Sequence, residues 1–183
     1  MEFEYLKSLT GDYPRGEILT DMVRCFGKDV WNYALSISGK PEMADDITQD
    51  VFFKALKKLD TFRHESSMKT WLLRITRNSA LNYKSNYFFK KVTLVDKWFE
   101  SQPGLDHPSA ESVALERIQL NEAWKIVLQL PTKYREVLVL FAFHEMTHNE
   151  IAQTVGIPEG TVKSRLHKTR ILFAQKFEGG TYE

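Results

Sequence analysis

Apolar residues in this chain recur at three- and four-residue steps and rarely alternate. Between Pro41 and Leu59, Ala44, Ile47, Val51, Ala55 and Leu59 follow that step. A strand needs a period of two, whereas one face of a helix needs 3.6. The spacing therefore predicts a helix that buries one stripe. Gly39 stops the helix before it near Ser38, and Pro41 starts the next with acids in its first turns. "DTFRHESSMK" then reads as a polar loop, and "TWLLRITRNSALNYKS" resumes a helix with Leu72, Ile75, Ser79 and Tyr83 on one side. From Tyr87 to Ser112 the period fades, and Pro103, Gly104 and Pro108 punctuate an extended linker. A second helical block runs from Leu115 to Leu130 and from about Lys133 to Phe143, with two short elements after it. The expected fold is all-α: two small helical domains, 1–86 and 115–183, joined by a flexible linker over 87–114.

Composition narrows the setting. A chain of 183 residues can bury a core without staples, and its single cysteine, Cys25, excludes an internal disulfide framework. "MEFEYLK" at the N-terminus is acidic where a secretion signal is basic and then apolar. The longest apolar run, "VLVLFAF" (137–143), is too short to span a bilayer. These features predict a cytoplasmic protein with no membrane insertion. The net charge of +1 hides an uneven distribution. Glu42, Asp45, Asp46 and Asp50 fall within 41–50 with no Lys or Arg, whereas 54–91 holds ten bases against two acids and 159–176 five against one. Two separated basic segments are a footprint for nucleic acid, and the acidic one suits a basic partner.

"HEMTH" (144–148) matches the H-E-x-x-H pattern of zinc peptidases, in which two histidines on one helix hold the metal. The neighbouring residues argue against it. "THNE" fits a capping box, so a helix starts at Thr147 and the two histidines fall on different elements as partly exposed turn residues. No third ligand accompanies them, and no metal, cofactor or catalytic residue is expected. "EIAQTVG" then supplies a short helix with Gly156 at its stop, and a turn "GIP" leads to a second helix from about Glu159. This is a helix-turn-helix pattern. In its second helix Val162, Leu166 and Thr169 face inward, Ser164, His167 and Lys168 point outward, and Lys163, Arg165 and Arg170 flank them. Such a face offers hydrogen-bonding groups to base edges and cations to phosphates.

"LPTKYREVLVLFAFHEMTHNEIAQTVGIPEGTVKSRLHKTR" resembles the C-terminal DNA-binding domain of bacterial sigma factors of the extracytoplasmic-function group. "ADDITQDVFFKALKKLDTF" with "MKTWLLRITRNSALNY" resembles their first conserved domain, and the two stand in the family's order. The resemblance implies an alternative sigma factor that binds RNA polymerase core through its clamp helices, directs it to promoter DNA and helps to open the duplex. It also implies control by an anti-sigma factor. Carried residue by residue, it places polymerase binding at Asp46, Gln49 and Asp50. The −10 region falls on Arg63, Ser66, Ser67, Met68, Lys69, Arg74, Arg77, Asn78 and Asn82, and −35 recognition on Thr161, Lys163, Ser164, Arg165, His167, Lys168 and Arg170. Two rival readings differ in kind. A helix-turn-helix regulator acting without polymerase would bind promoter duplex but not core enzyme, and a zinc peptidase would carry about one metal per chain.

Overall fold

The computed structural model describes residues 15–63, 65–93 and 122–178, and all its regular elements are helical. Helix α1 spans Arg15–Ser38, α2 Pro41–Lys58 and α3 Met68–Thr93. A single 3₁₀ turn, Leu59–Thr61, follows α2. The C-terminal part contains α4 (Glu122–Gln129), α5 (Thr132–Ala142), α6 (His148–Val155) and α7 (Glu159–Glu178).

The junction of α1 and α2 follows from local chemistry. Gly39 takes a left-handed φ of 74°, and its N–H donates to the Leu35 carbonyl at 2.8 Å. A β-carbon is disfavoured in that conformation, so glycine ends the helix there. Pro41 has no N–H to leave unpaired in the first turn of α2. Ala44, Ile47, Val51 and Ala55 are fully buried, as their spacing predicts, with Leu59 half-buried. They pack against Val30, Tyr33, Ala34 and Ile37 of α1 and Leu72 and Leu73 of α3 in the same buried cluster.

Helix α3 differs from expectation at both ends. It begins at Met68 because Ser67 caps it: the Thr70 N–H donates to Ser67 Oγ at 3.0 Å. It runs to Thr93, seven residues past the expected end of the first domain. Tyr83, expected on the buried side, is 36% exposed. Its hydroxyl donates to Asp46 on α2 at 2.9 Å, a polar partner that holds the ring at the surface. Residues 94–121, including most of the expected linker and the expected helix start at Leu115, lie outside the described residues.

The two helical groups are in contact, α1 with α5 and α3 with α6, and the buried apolar cluster continues from one into the other through Val137, Leu140 and Met146.

Candidate polymerase and DNA interfaces

Three surfaces carry the candidate residues. On α2, Asp46 and Gln49 are exposed and Asp50 half-exposed. Asp50 is paired with Lys54 at 2.5 Å, one turn along, while Asp46 accepts from Tyr83. Asp45, beside them, turns inward and accepts from the Trp31 indole at 2.8 Å. Asp46, Gln49 and Asp50 therefore form the outward acidic edge of the helix. Phe53 extends this edge: seven residues after Asp46 it lies almost in line with it, and it is 56% exposed. Sequence reasoning missed it. The available signal was an aromatic residue standing off the apolar stripe of α2.

The second surface is the start and outer face of α3. Arg63, Asn78 and Asn82 are exposed, and Ser66 is half-exposed. Met68 is a correction, because it is only 2% exposed and packs in the core beneath the loop. The α3 start places its side chain among Leu72 and its neighbours, so it cannot present itself to DNA. Ser67 is half-exposed and engaged in capping. Trp71 is half-buried against Phe62, with ring centroids 5.0 Å apart. Lys69, Arg74 and Arg77 are not free. Lys69 pairs with Asp29 at 3.2 Å, Arg74 donates to Gln153 at 2.9 Å, and Arg77 Nε donates to Glu136 Oε1 at 2.7 Å. Gln153 and Glu136 belong to the C-terminal group of helices, a relation that no local pattern in the sequence discloses.

The third surface is the helix-turn-helix of α6 and α7. Thr147 and Glu150 form the reciprocal capping box, with Glu150 N–H to Thr147 Oγ1 at 3.3 Å and Thr147 N–H to Glu150 Oε2 at 2.9 Å. Gly156 closes α6 with a left-handed φ of 71°. Val162, Leu166 and Thr169 of α7 are buried. Ser164, His167, Lys168, Lys163 and Arg170 are exposed, while Arg165 and Thr161 are half-buried. Lys163 also pairs with Glu159 at 2.9 Å.

HEMTH is split between elements. Helix α5 ends at Ala142, Glu145 has a φ of 56°, and α6 begins at His148, so the two histidines share no helix face. His148 is half-buried and stacks on Phe141 at 5.6 Å. His144 corrects the expectation of a partly exposed turn residue, since its side chain is wholly buried. The turn after α5 folds inward, with Met146 N–H donating to the Leu140 carbonyl at 3.1 Å, and carries the imidazole against Tyr33 and Phe143. Its Nδ1 lies 3.4 Å from Asp29 Oδ1, aligned too poorly for a full hydrogen bond. Burial pushes the imidazole pKa down, and the Asp29 carboxylate offsets this only in part. Burial alone would raise the Asp29 carboxyl, but the His144 and Lys69 contacts outweigh it and hold it below its ordinary value.

Two family models match in tandem: Sigma-70 region 2 over residues 22–86, and Sigma-70, region 4 over residues 120–172. The RNA polymerase sigma factor YlaC of Bacillus subtilis is 28% identical over 154 residues, 84% of this chain and 88% of that one. The ECF RNA polymerase sigma factor SigW of the same organism is 28% identical over 160 residues, covering 84% and 86%. Among solved structures, the sigma factor RpoE in complex with the anti-sigma factor NepR, from Bartonella quintana, matches with a TM-score of 0.66 at 24% identity, over 87% of this chain and 96% of that one. CnrH in complex with the cytosolic domain of CnrY matches with a TM-score of 0.63 at 22% identity, over 96% and 95%. With both conserved regions present in order and an all-helical fold to match, the chain belongs to the sigma-70 family, in its extracytoplasmic-function group.

Proposed function

We propose that the three surfaces divide the work of an alternative sigma factor in promoter-directed transcription initiation. The observation that carries this is the separation of charge: an exposed acidic edge on α2, an exposed cationic and polar face on α7, and on α3 the exposed Asn78 and Asn82 beside half-buried Lys69, Arg74 and Arg77, with Arg63 exposed in the loop before it. Asp46, Gln49 and Asp50, extended by Phe53, meet the basic clamp helices of polymerase core. A polar rim around an exposed aromatic suits such an interface, where opposite charge steers docking and a buried ring adds affinity. Arg63, Ser66, Lys69, Arg74, Arg77, Asn78 and Asn82 take the −10 strand. Opening a duplex costs a few kcal/mol per unstacked step, so the separating strand must be held as it forms. Ser164, His167 and Lys168 read −35 base edges, with Lys163, Arg165 and Arg170 on phosphates and Thr161 at the start of the face.

The chain acts by binding, and the reaction remains that of the polymerase. Its place of work is then the cytoplasm, where polymerase and promoter meet. No described helix is long and apolar enough to cross a membrane. The structural neighbour RpoE is in complex with the anti-sigma factor NepR, which supports an anti-sigma factor for this chain as well. Run-off transcription by core polymerase of the source bacterium, with and without the chain, tests the reading. Promoter-specific transcripts should depend on the chain. Asp46→Lys with Asp50→Lys should abolish them and weaken core binding by several kcal/mol in a salt-sensitive way, as expected when attraction becomes repulsion at a polar interface. Unchanged core affinity would remove the α2 assignment.

A further inference from the structure

Two polar rungs tie the candidate polymerase edge of α2 to α3 behind it. Asp46 and Asp50 stand one turn apart on α2, and Ser79 and Tyr83 one turn apart on α3. In the first rung the Tyr83 hydroxyl donates to Asp46 Oδ2 at 2.9 Å. In the second the Lys54 ammonium donates both to Asp50 Oδ2 at 2.5 Å and to the buried Ser79 hydroxyl at 3.1 Å. The rungs differ in charge. A phenol is a neutral donor: it orients a carboxylate, fills one of its roughly four lone-pair sites and leaves the negative charge whole. An ammonium in contact offsets that charge. Asp46 is thus exposed and bonded to a neutral group, whereas Asp50 is half-exposed and already paired with a cation. Tyr83 also keeps its proton to donate. Partial burial, then the hydrogen bond and charge of Asp46 and the charge of Asp50, push its pKa above the ordinary tyrosine value.

We propose that Tyr83 is a positioning residue for polymerase recognition: it holds the Asp46 carboxylate, fully charged, as the anchor of the acidic edge, while Lys54 keeps Asp50 in a lesser role. A carboxylate already held by a donor from another helix loses less side-chain freedom when a cation of polymerase docks, so more of the contact appears as affinity. To engage Asp50, the same cation must first displace an ammonium of the chain itself. The two acids therefore contribute unequally, although they look alike in the sequence. Tyr83 is 36% exposed, so its ring adds little to the core and its hydroxyl carries its role. This rests on the polymerase-binding role proposed above for Asp46.

The test titrates the full chain against core polymerase at two salt concentrations, with thermal midpoint and helical circular dichroism recorded for every variant. Tyr83→Phe keeps the ring and removes the donor. It should weaken core binding about threefold to tenfold, with midpoint and helical signal unchanged. Because the carboxylate keeps its charge, the salt dependence should stay that of wild type, whereas Asp46→Ala should flatten it. In an Asp46→Ala chain, Tyr83→Phe should have no further effect. Asp46→Ala should weaken core binding about threefold more than Asp50→Ala does, and Lys54→Gln should raise the cost of Asp50→Ala by about threefold. A Tyr83→Phe chain that binds core as tightly as wild type overturns the proposal. So does an equal loss from Tyr83→Phe with and without the Asp46 carboxylate, which is also how a purely structural role would show if the midpoint fell. Equal losses from Asp46→Ala and Asp50→Ala overturn the ranking of the two acids and the proposal with it. All of these leave the α2 reading standing as long as Asp46→Ala weakens core binding. If Asp46→Ala binds core as wild type does, that reading falls and takes the proposal with it.

Discussion

The guanidinium of Arg135 sits against Gly39, where a β-carbon would meet its Nη2 at 3.4 Å. Arg135 is 6% exposed and gathers the end of α1 into the C-terminal domain. Its Nε donates to the Ser36 carbonyl, its Nη2 to the Ile37 carbonyl at 3.4 Å, and its Nη1 to the Leu128 carbonyl at 2.7 Å. The last carbonyls of a helix have no partner within it, so a cation from another element answers both their hydrogen-bonding need and the helix dipole.

Arg135→Ala leaves those carbonyls without this donor and should cost about 2–4 kcal/mol. Arg135→Lys should recover little, because one ammonium cannot span three carbonyls set in a fork. Gly39→Ala adds a β-carbon in the left-handed region and should cost about 1–2 kcal/mol. Urea unfolding of the full chain, followed by helical circular dichroism, measures all three. A Gly39→Ala chain as stable as wild type would contradict the left-handed geometry.

Thr147→Ala removes one half of the capping box on α6, whose other half Glu150 supplies. Helix caps of this kind are worth about 1 kcal/mol. The amides of residues 148–151 should exchange hydrogen faster, while those of α2 keep their protection. Uniform exchange across the chain would show that α6 owes its order to packing alone.

On α7, His167→Ala or Lys168→Ala should cost about 1–3 kcal/mol on a cognate −35 duplex and relax base choice at one or two positions. Arg170→Ala should weaken all sequences alike and reduce the salt slope by about one. Affinities for a panel of single-base −35 variants at two salt concentrations distinguish these outcomes. If Arg170→Ala changed base preference and Lys168→Ala did not, the two faces of α7 would have to be exchanged.

Acid should loosen the contact around His144. Its folded pKa is depressed by burial, so the unfolded chain binds the proton more readily. Stability therefore rises with pH in that window: it is present above the unfolded value near 6.5 and lost as pH falls through the folded one. Asp29, also depressed when folded, adds a loss at lower pH, below the ordinary carboxylate range. Between about pH 7.5 and about pH 5.5 the melting temperature should fall more for wild type than for His144→Phe, which keeps an aromatic ring there but no proton site. Equal slopes would show that His144 is not the titrating group. Because its side chain is wholly buried, His144→Gln should also destabilise the chain, whereas His148→Gln on half-buried α6 should not.

Much of the fold was legible before any coordinate. The stripe from Ala44 to Ala55, the stop at Gly39, the start at Pro41, the capping box at Thr147 and the inward trio Val162, Leu166 and Thr169 are short-range patterns, and all stand as read. Each depends only on neighbours within a turn or two, where helix geometry and backbone hydrogen bonding leave few choices. The misreadings have the opposite character. Met68 and His144 look polar-loop and turn-like in sequence, yet they are buried because chain distant from them covers them. The pairing of Arg77 with Glu136 spans 59 positions, and that of Arg135 with the Ser36 carbonyl 99. The sequence by itself determined which residues line each helix face, because helical periodicity is a local constraint. Tertiary structure alone decided which candidate DNA-binding cations are occupied, because a salt bridge depends on distance in space and leaves no period along the chain.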